Sequence, residues 1–323
     1  MRTFRDQEDW AIGRLENQIN SFLNNDIDST YLAHYCSIVS ATSIIQSGIS
    51  FFSPADTMND HREFHFIYDK ILSNLQLQFT RGPHRNNQNI IKVITHLHRS
   101  KIFQMNNSFV FCLSEIESPK KSDNLSMWRA YASDGEGCAL IFKTDKLLSD
   151  DIKGQFPIYA WKVRYFSEEE AEEEARNFAE TIIEALSQIN NTEFEDNIEG
   201  IQSFLSSKLT DLCFACKHSG FSEEKEVRLV YRFEYDLDPH TFTATTKILG
   251  GDVNVRLPVE LKPYSEFNID LSISNILDSV MVGPSPNQSK YMKSLYLALK
   301  HARFICNKDN LIPSTTPYRP IRR

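Results

Sequence analysis

Apolar residues recur at helical spacing in some stretches of this 323-residue chain and form alternating or continuous strand-like runs in others. Residues 6–25 are predicted to be helical, with Trp10, Leu15, Ile19, Phe22 and Leu23 at helical spacing and Asn24, Asn25 and Asp26 closing the helix. A short strand follows over Tyr31–Cys36, then a short helix over 40–46. Gly48 suits the left-handed position past that helix end, and Ile49–Phe52 reads as a second strand closed by Ser53 and Pro54. Helices are predicted over 60–80 and 87–105, separated by Arg81, Gly82 and Pro83. Ser108–Ser114, Cys138–Phe142 and Val163–Phe166 read as strands. Ser167, with Glu170 three residues on, forms a capping box that opens a long acidic helix. A helix over roughly 194–218, strands over Val227–Phe233 and Ile276–Val282, a helix over 286–302 and a last strand at Phe304–Cys306 complete the pattern.

Strands and helices are mixed without a regular β-α alternation, so the expected class is α+β: a mixed, mostly antiparallel central sheet with helical insertions. The expected organisation is one domain over 1–323. An N-terminal helix lies within 1–28, helical insertions occupy 60–105 and 167–218, and a C-terminal strand and tail occupy 304–323.

Composition narrows the function classes. Hydrophobic residues at 41% are ample for a packed core. A formal net charge of −8 argues against a protein that coats nucleic acid, because phosphate binding needs clustered Lys and Arg. A local basic groove is not excluded, and the short cluster Arg319, Arg322 and Arg323 reads as a solvated tail. No apolar run approaches the ~20 residues that span a bilayer, so no membrane partner is expected. The first residues lack the apolar centre of a secretion signal. The six cysteines sit mostly in apolar stretches, as free thiols do in a reducing compartment, so a cytoplasmic location is expected.

Several spacings imitate known sites. Cys213 and Cys216 lack the second pair a tetrahedral metal site needs, and they read as core on an apolar helix. His61 and His65 are four apart, but Arg62 stands where a metalloprotease helix carries Glu. Gly135 and Gly137 read as a turn before the Cys138 strand rather than a nucleotide fingerprint.

Four motifs carry candidate chemistry, each with a structural alternative. His34 and Tyr35 end a strand beside a helix-and-glycine turn, a rigid place to present an imidazole; a satisfied edge histidine is the alternative. Asn59 and Asp60 stand ahead of Glu63 and can be ligand contacts or a helix cap. Ser114 and Glu115 stand at the exposed end of a buried strand. Trp128 and Tyr131, about one helical turn apart, can wall a pocket for a flat ring or belong to the core. Glu226 and Arg228, with Glu224, would point to one face of a strand, where a guanidinium holds a carboxylate ionised and oriented; a surface ion pair is the alternative.

Together these segments resemble the bacterial family called domain of unknown function 2971. The matching residues are His34–Tyr35, Ser53–Asp60, Phe111–Glu115, Trp128 and Tyr131, Gly137–Phe142, Phe221–Arg228, Val282–Pro284 and the ending Ser314–Arg319. Val227, where the family commonly carries Trp, and His61, where Pro often follows the Asn-Asp pair, depart from that pattern. A further resemblance, by analogy, joins His34 to Gly48 with the opening strand and helix of ADP-ribosyltransferases. It implies NAD as the substrate, a nucleotide partner and an ADP-ribosyltransferase-like fold. His34 would position the dinucleotide, Tyr131 or Trp128 would stack the nicotinamide, and Ser114 would orient the ribose or the carboxylate. Tyr35 would contribute to the cofactor site, Arg228 would hold Glu226 or meet a phosphate, and Asn59, Asp60 and Glu224 would support. Glu226 would stabilise the oxocarbenium-like state.

The activity implied is ADP-ribosyl transfer to an undefined acceptor macromolecule or NAD glycohydrolysis, suited to a bacterial toxin or phage-defence effector. Two rivals remain. One is a metal-dependent nuclease on Asp60, Glu63, Glu224 and Glu226 with Lys225; the other is a non-enzymatic ligand-sensing or interaction module.

Overall fold

The computed structural model describes residues 12–318 apart from 14, 24–25, 58–62, 86, 149–156, 234–242, 250–251, 306 and 308. The chain gathers into two compact units. One comprises residues 1–26, 54–108 and 161–222 and the other residues 27–53, 109–160 and 223–323.

The first unit is mainly helical. Its helices are α2 (Glu63–Arg81), α3 (Gln88–Asn106), α6 (Glu168–Ser187), α7 (Asn191–Asp196) and α8 (Ile198–Phe214). The two expected insertions thus fall in one unit. Ile67, Ile71 and Leu75 of α2 are buried, as are Phe178, Ile182 and Leu186 of α6, and α2 packs against α6 and α8. The Ser167–Glu170 capping box is formed in full, satisfying two backbone donors at the start of α6. The expected helix over 194–218 is broken at Asn197 and ends at Phe214. Cys216 therefore lies not on the helix but in β7 (Cys216–His218), which pairs in parallel with β6 (Arg164–Phe166). Both Cys213 and Cys216 are buried.

The second unit is built on a mixed, mostly antiparallel sheet, so the α+β expectation holds. Its strands run in the order β14 (Leu311–Pro313), β13 (Leu277–Val282), β4 (Gly137–Lys143), β1 (Tyr31–Ser37), β3 (Ser108–Ile116), β2 (Ile49–Pro54), β10 (Asp252–Glu260) and β9 (Thr245–Leu249). β8 (Glu226–Arg232) pairs with β3 and with β5 (Ile158–Lys162). The β13–β14 pair is parallel.

Short helices complete this unit: α1 (Ile38–Ser47), α4 (Leu125–Tyr131), α5 (Thr144–Leu147), α9 (Ile273–Ile276) and α10 (Gln288–His301). Ser37 caps the start of α1 by accepting from the Ser40 N–H, and Gly48 ends it at φ +64°, the left-handed position expected of it. Gly283 donates to the Gly137 carbonyl at 2.9 Å, and a side chain at 283 would collide with the Gly135 backbone; this explains the glycine after Val282. The strand expected at 304–306 is not formed over the described residues Phe304 and Ile305. Ile305 is 91% exposed, and the pairing partner of β13 comes later, at β14.

Alternation along the strands gives the sheet two covered faces. Leu32, Cys36, Phe111, Leu113, Leu140, Val227 and Leu229 belong to one core. Ala33, Tyr35, Ile116, Met127, Trp128, Ala139 and Ile141 form the other.

Candidate functional site

The second face carries a cleft of about 170 Å³ lined by Tyr35, Ser114, Glu115, Ile116, Glu117, Lys121, Asn124, Met127, Glu223, Glu224 and Lys225. Four elements build it. β1 supplies Tyr35, whose hydroxyl donates to the Ser122 carbonyl at 2.7 Å. Burial, with the Asp123 charge nearby, pushes that phenol well above its usual value, so it remains a neutral donor. The end of β3 supplies Ser114–Ile116, set beside β1 by the pairing of Ser114 with Ala33. Asn124 caps α4 by accepting from the Ser126 N–H at 3.0 Å, and α4 brings Met127 to the wall.

The fourth element is the 3-10 turn Ser219–Glu224 together with Lys225. Ser126 donates to Glu223 at 2.5 Å and Tyr131 donates to Glu224 at 2.6 Å, so α4 holds both carboxylates from behind. Lys225 sits at φ +44°, a conformation that costs a non-glycine residue about 1–2 kcal/mol. The Glu115 N–H, donating to the Lys225 carbonyl at 2.8 Å, holds it there. That left-handed residue turns the chain between Glu224 and Glu226.

Glu226 therefore has a different environment from the one expected. It does not line the cleft. Instead it is buried inside β8 and takes Arg228 as a bidentate partner, with Nε donating to Oε1 at 3.1 Å and Nη2 to Oε2 at 2.9 Å. The surface ion pair considered from sequence is a buried one, and Glu224 lies outside the strand in the turn.

The remaining expected residues divide as follows. Tyr35, Ser114 and Glu224 meet in the cleft, with Tyr131 one hydrogen bond behind it. Trp128 is fully buried, edge-on to Tyr35 at 5.1 Å, and its indole N–H donates to Asp123 at 2.9 Å; it belongs to the core rather than to a ring-stacking wall. Arg228 grips Glu226. His34 faces the opposite side of the sheet from Ser114: its ring stacks on Phe111 at 4.1 Å and its Nδ1–H donates to the Cys112 carbonyl at 2.9 Å. Glu226 alternates with Val227 and Leu229, which share the Phe111 core, so its carboxylate turns to the face away from His34. An NAD grip built on His34 and Glu226 is not assembled.

Asn59, Asp60 and His61 lie outside the described residues, and Glu63 opens α2. Among the described residues no group of three or more His, Cys, Asp or Glu is placed to hold a metal ion. No helix among them is long and apolar enough to cross a membrane.

Sequence reasoning passed over Glu117, Lys121 and Glu223, and it passed over Asp123, which anchors the site from below. The Asp123 carboxylate accepts from Trp128, from the Ser314 hydroxyl at 2.5 Å, and from the backbone N–H groups of Thr315 at 2.7 Å and Thr316 at 3.1 Å. The hydroxyls of Thr315 and Thr316 add to this set. Burial works against its charge, but these donors outweigh it and hold Asp123 below the ordinary carboxylate value. Ser314–Thr316, the start of the Ser314–Arg319 ending noted in the sequence, is thus the strap that this carboxylate ties down. Position 123, just ahead of the Asn124 cap, was the available signal.

What these features define is an α+β protein with an acidic cleft on one face of its sheet. Residues 127–229 match the model of a family described as a protein of unknown function (DUF2971), which supports the family resemblance over that stretch. No curated protein and no solved structure matches the chain.

Proposed function

We propose that the cleft binds the cationic, hydroxyl-bearing end of a small nucleotide, with the nicotinamide–ribose of NAD as first candidate, and cleaves its N-glycosidic bond with Glu224 as the working carboxylate. The observation that carries this reading is the placement of Glu224. It lines the cleft beside Ser114 and Glu115, is oriented by Tyr131 at 2.6 Å, and adjoins a strained backbone at Lys225.

Charge and size both bear on the ligand. Four carboxylates, Glu115, Glu117, Glu223 and Glu224, against two ammonium groups, Lys121 and Lys225, favour a positively charged end group. At about 170 Å³ the cleft is smaller than the ~300–1,000 Å³ of pockets that enclose a whole drug-sized ligand, so it suits one ring of a larger molecule. In the reaction the C1′–N bond breaks and its electron pair goes to the nicotinamide nitrogen. The carboxylate stabilises the positive charge developing on the ribose, and water adds at C1′ and releases a proton, giving ADP-ribose and nicotinamide.

The test is incubation of the purified protein with NAD, with nicotinamide release and NAD binding followed in parallel. Release supports the reading. Binding without release favours the second reading, a ligand-sensing module, for which the separation of His34 and Glu226 from the cleft speaks. Absence of both rejects NAD as the ligand.

A further inference from the structure

On the face of β1 opposite the cleft, His34 and Cys36 stand two residues apart, and Cys36 lies directly across from Cys138 in the β1–β4 register. Paired Cα atoms in an antiparallel ladder are about 4.5–5.5 Å apart, within the ~4.4–6.8 Å that a disulfide bridges. The strands approach so closely here that a side chain at Gly137 would collide with the Cys36 carbonyl. Both thiols belong to the same core.

The surroundings distinguish the two sulfurs. Cys36 lies on the same face of β1 as His34 and just ahead of α1, where the positive end of a ten-residue helix favours an anion. Because the Cys112 carbonyl can only accept, the proton on His34 sits at Nδ1, which leaves the lone pair on Nε2 to take a proton. Cys138 has no comparable partner in its favour; both thiols are buried, Cys138 completely and Cys36 to 7% exposure.

We propose that Cys36 and Cys138 form a peroxide-reactive dithiol in which His34 activates Cys36. The site does not depend on the reading of the cleft. The Cys36 proton passes to His34, the thiolate attacks the peroxide O–O bond, which breaks, and His34 returns the proton to the leaving oxygen to release an alcohol or water. Cys36 becomes a sulfenic acid. The Cys138 sulfur then attacks the Cys36 sulfur, its proton leaves with the hydroxyl as water, and a disulfide remains. Two electrons have moved from the thiols to the peroxide. The polarisation of the pair agrees with these roles. The Cys138 hydrogen bond, against the cost of burial and with help from His34, lowers the Cys36 thiol, while the Cys138 thiol is raised.

The test is treatment of the native, full-length protein with hydrogen peroxide, followed by alkylation and peptide mass mapping. A Cys36–Cys138 cross-linked peptide, lighter by two hydrogens and absent from Cys36→Ser, is the expected result. His34→Gln should form the cross-link about ten-fold more slowly or worse, while Cys112→Ser, which removes an exposed thiol, should form it at the normal rate. Thermal melts of each variant verify folding. If Cys36→Ser does not fold, trapping a sulfenic acid on Cys36 in Cys138→Ser replaces it. Oxidation confined to Cys112, or a Cys36–Cys138 bond that appears only after denaturation, overturns the proposal.

Discussion

Glu224 and Glu226 are separated by one residue and both are buried, yet Glu224 lines the cleft and Glu226 lies within β8. Glu224 lines a polar cleft and accepts a hydrogen bond from the Tyr131 hydroxyl, which orients it. Glu226 is enclosed by the sheet and closed off by a bidentate guanidinium. A carboxylate in the first setting can meet a ligand, whereas one in the second is the bidentate partner of a buried guanidinium. The difference arises at Lys225, whose left-handed backbone ends the strand geometry that an alternating sequence would continue.

Variants can break or sharpen that contrast. The largest effect on stability is expected from Glu226→Ala, which leaves the buried Arg228 without the carboxylate it grips; chemical denaturation should show a loss of about 3–5 kcal/mol. Asp123→Ala removes the acceptor of Trp128 and of the strap Ser314–Thr316, and a loss of about 2–3 kcal/mol is expected in the same measurement.

Asp123 also gives a pH dependence. Its folded value lies below the ordinary 3.8, so its stabilisation is fully present above that value and is lost as pH falls through the lower, folded one. The melting temperature of the wild type should therefore drop below about pH 4, and the Asp123→Asn difference should shrink there. Tyr131→Phe leaves the fold in place and removes one hydrogen bond to Glu224; it should cost about 1 kcal/mol and lower turnover rather than abolish it. The smallest stability effect belongs to Lys225→Gly. Relief of left-handed strain there is offset by the freedom glycine gains in the unfolded chain, so a net change within about 0.5 kcal/mol is expected in a melt.

Local signals in the sequence reached as far as local physics determines structure. The capping box at Ser167 and Glu170, the glycine stop at Gly48 and the first strand follow from residues within a few positions of one another, and the structure has them. Pairings across long separations were not legible. Asp123 meets Ser314 across 191 residues, and the register that sets Cys36 against Cys138 depends on where β4 docks. The split between Glu224 and Glu226 was hidden because nothing in the run from Phe221 to Arg228 marks Lys225 as left-handed. Trp128 and Tyr131 were recognised as a pair, but only packing separates the buried tryptophan from the tyrosine that reaches the site.

The most direct test of the central claim compares nicotinamide release from NAD by the wild type and by folded Glu224→Gln, with melting temperature as the control. The account predicts release by the wild type, a loss of about 100-fold or more in the variant, and a melting temperature close to that of the wild type. Undiminished release by a well-folded Glu224→Gln would contradict it.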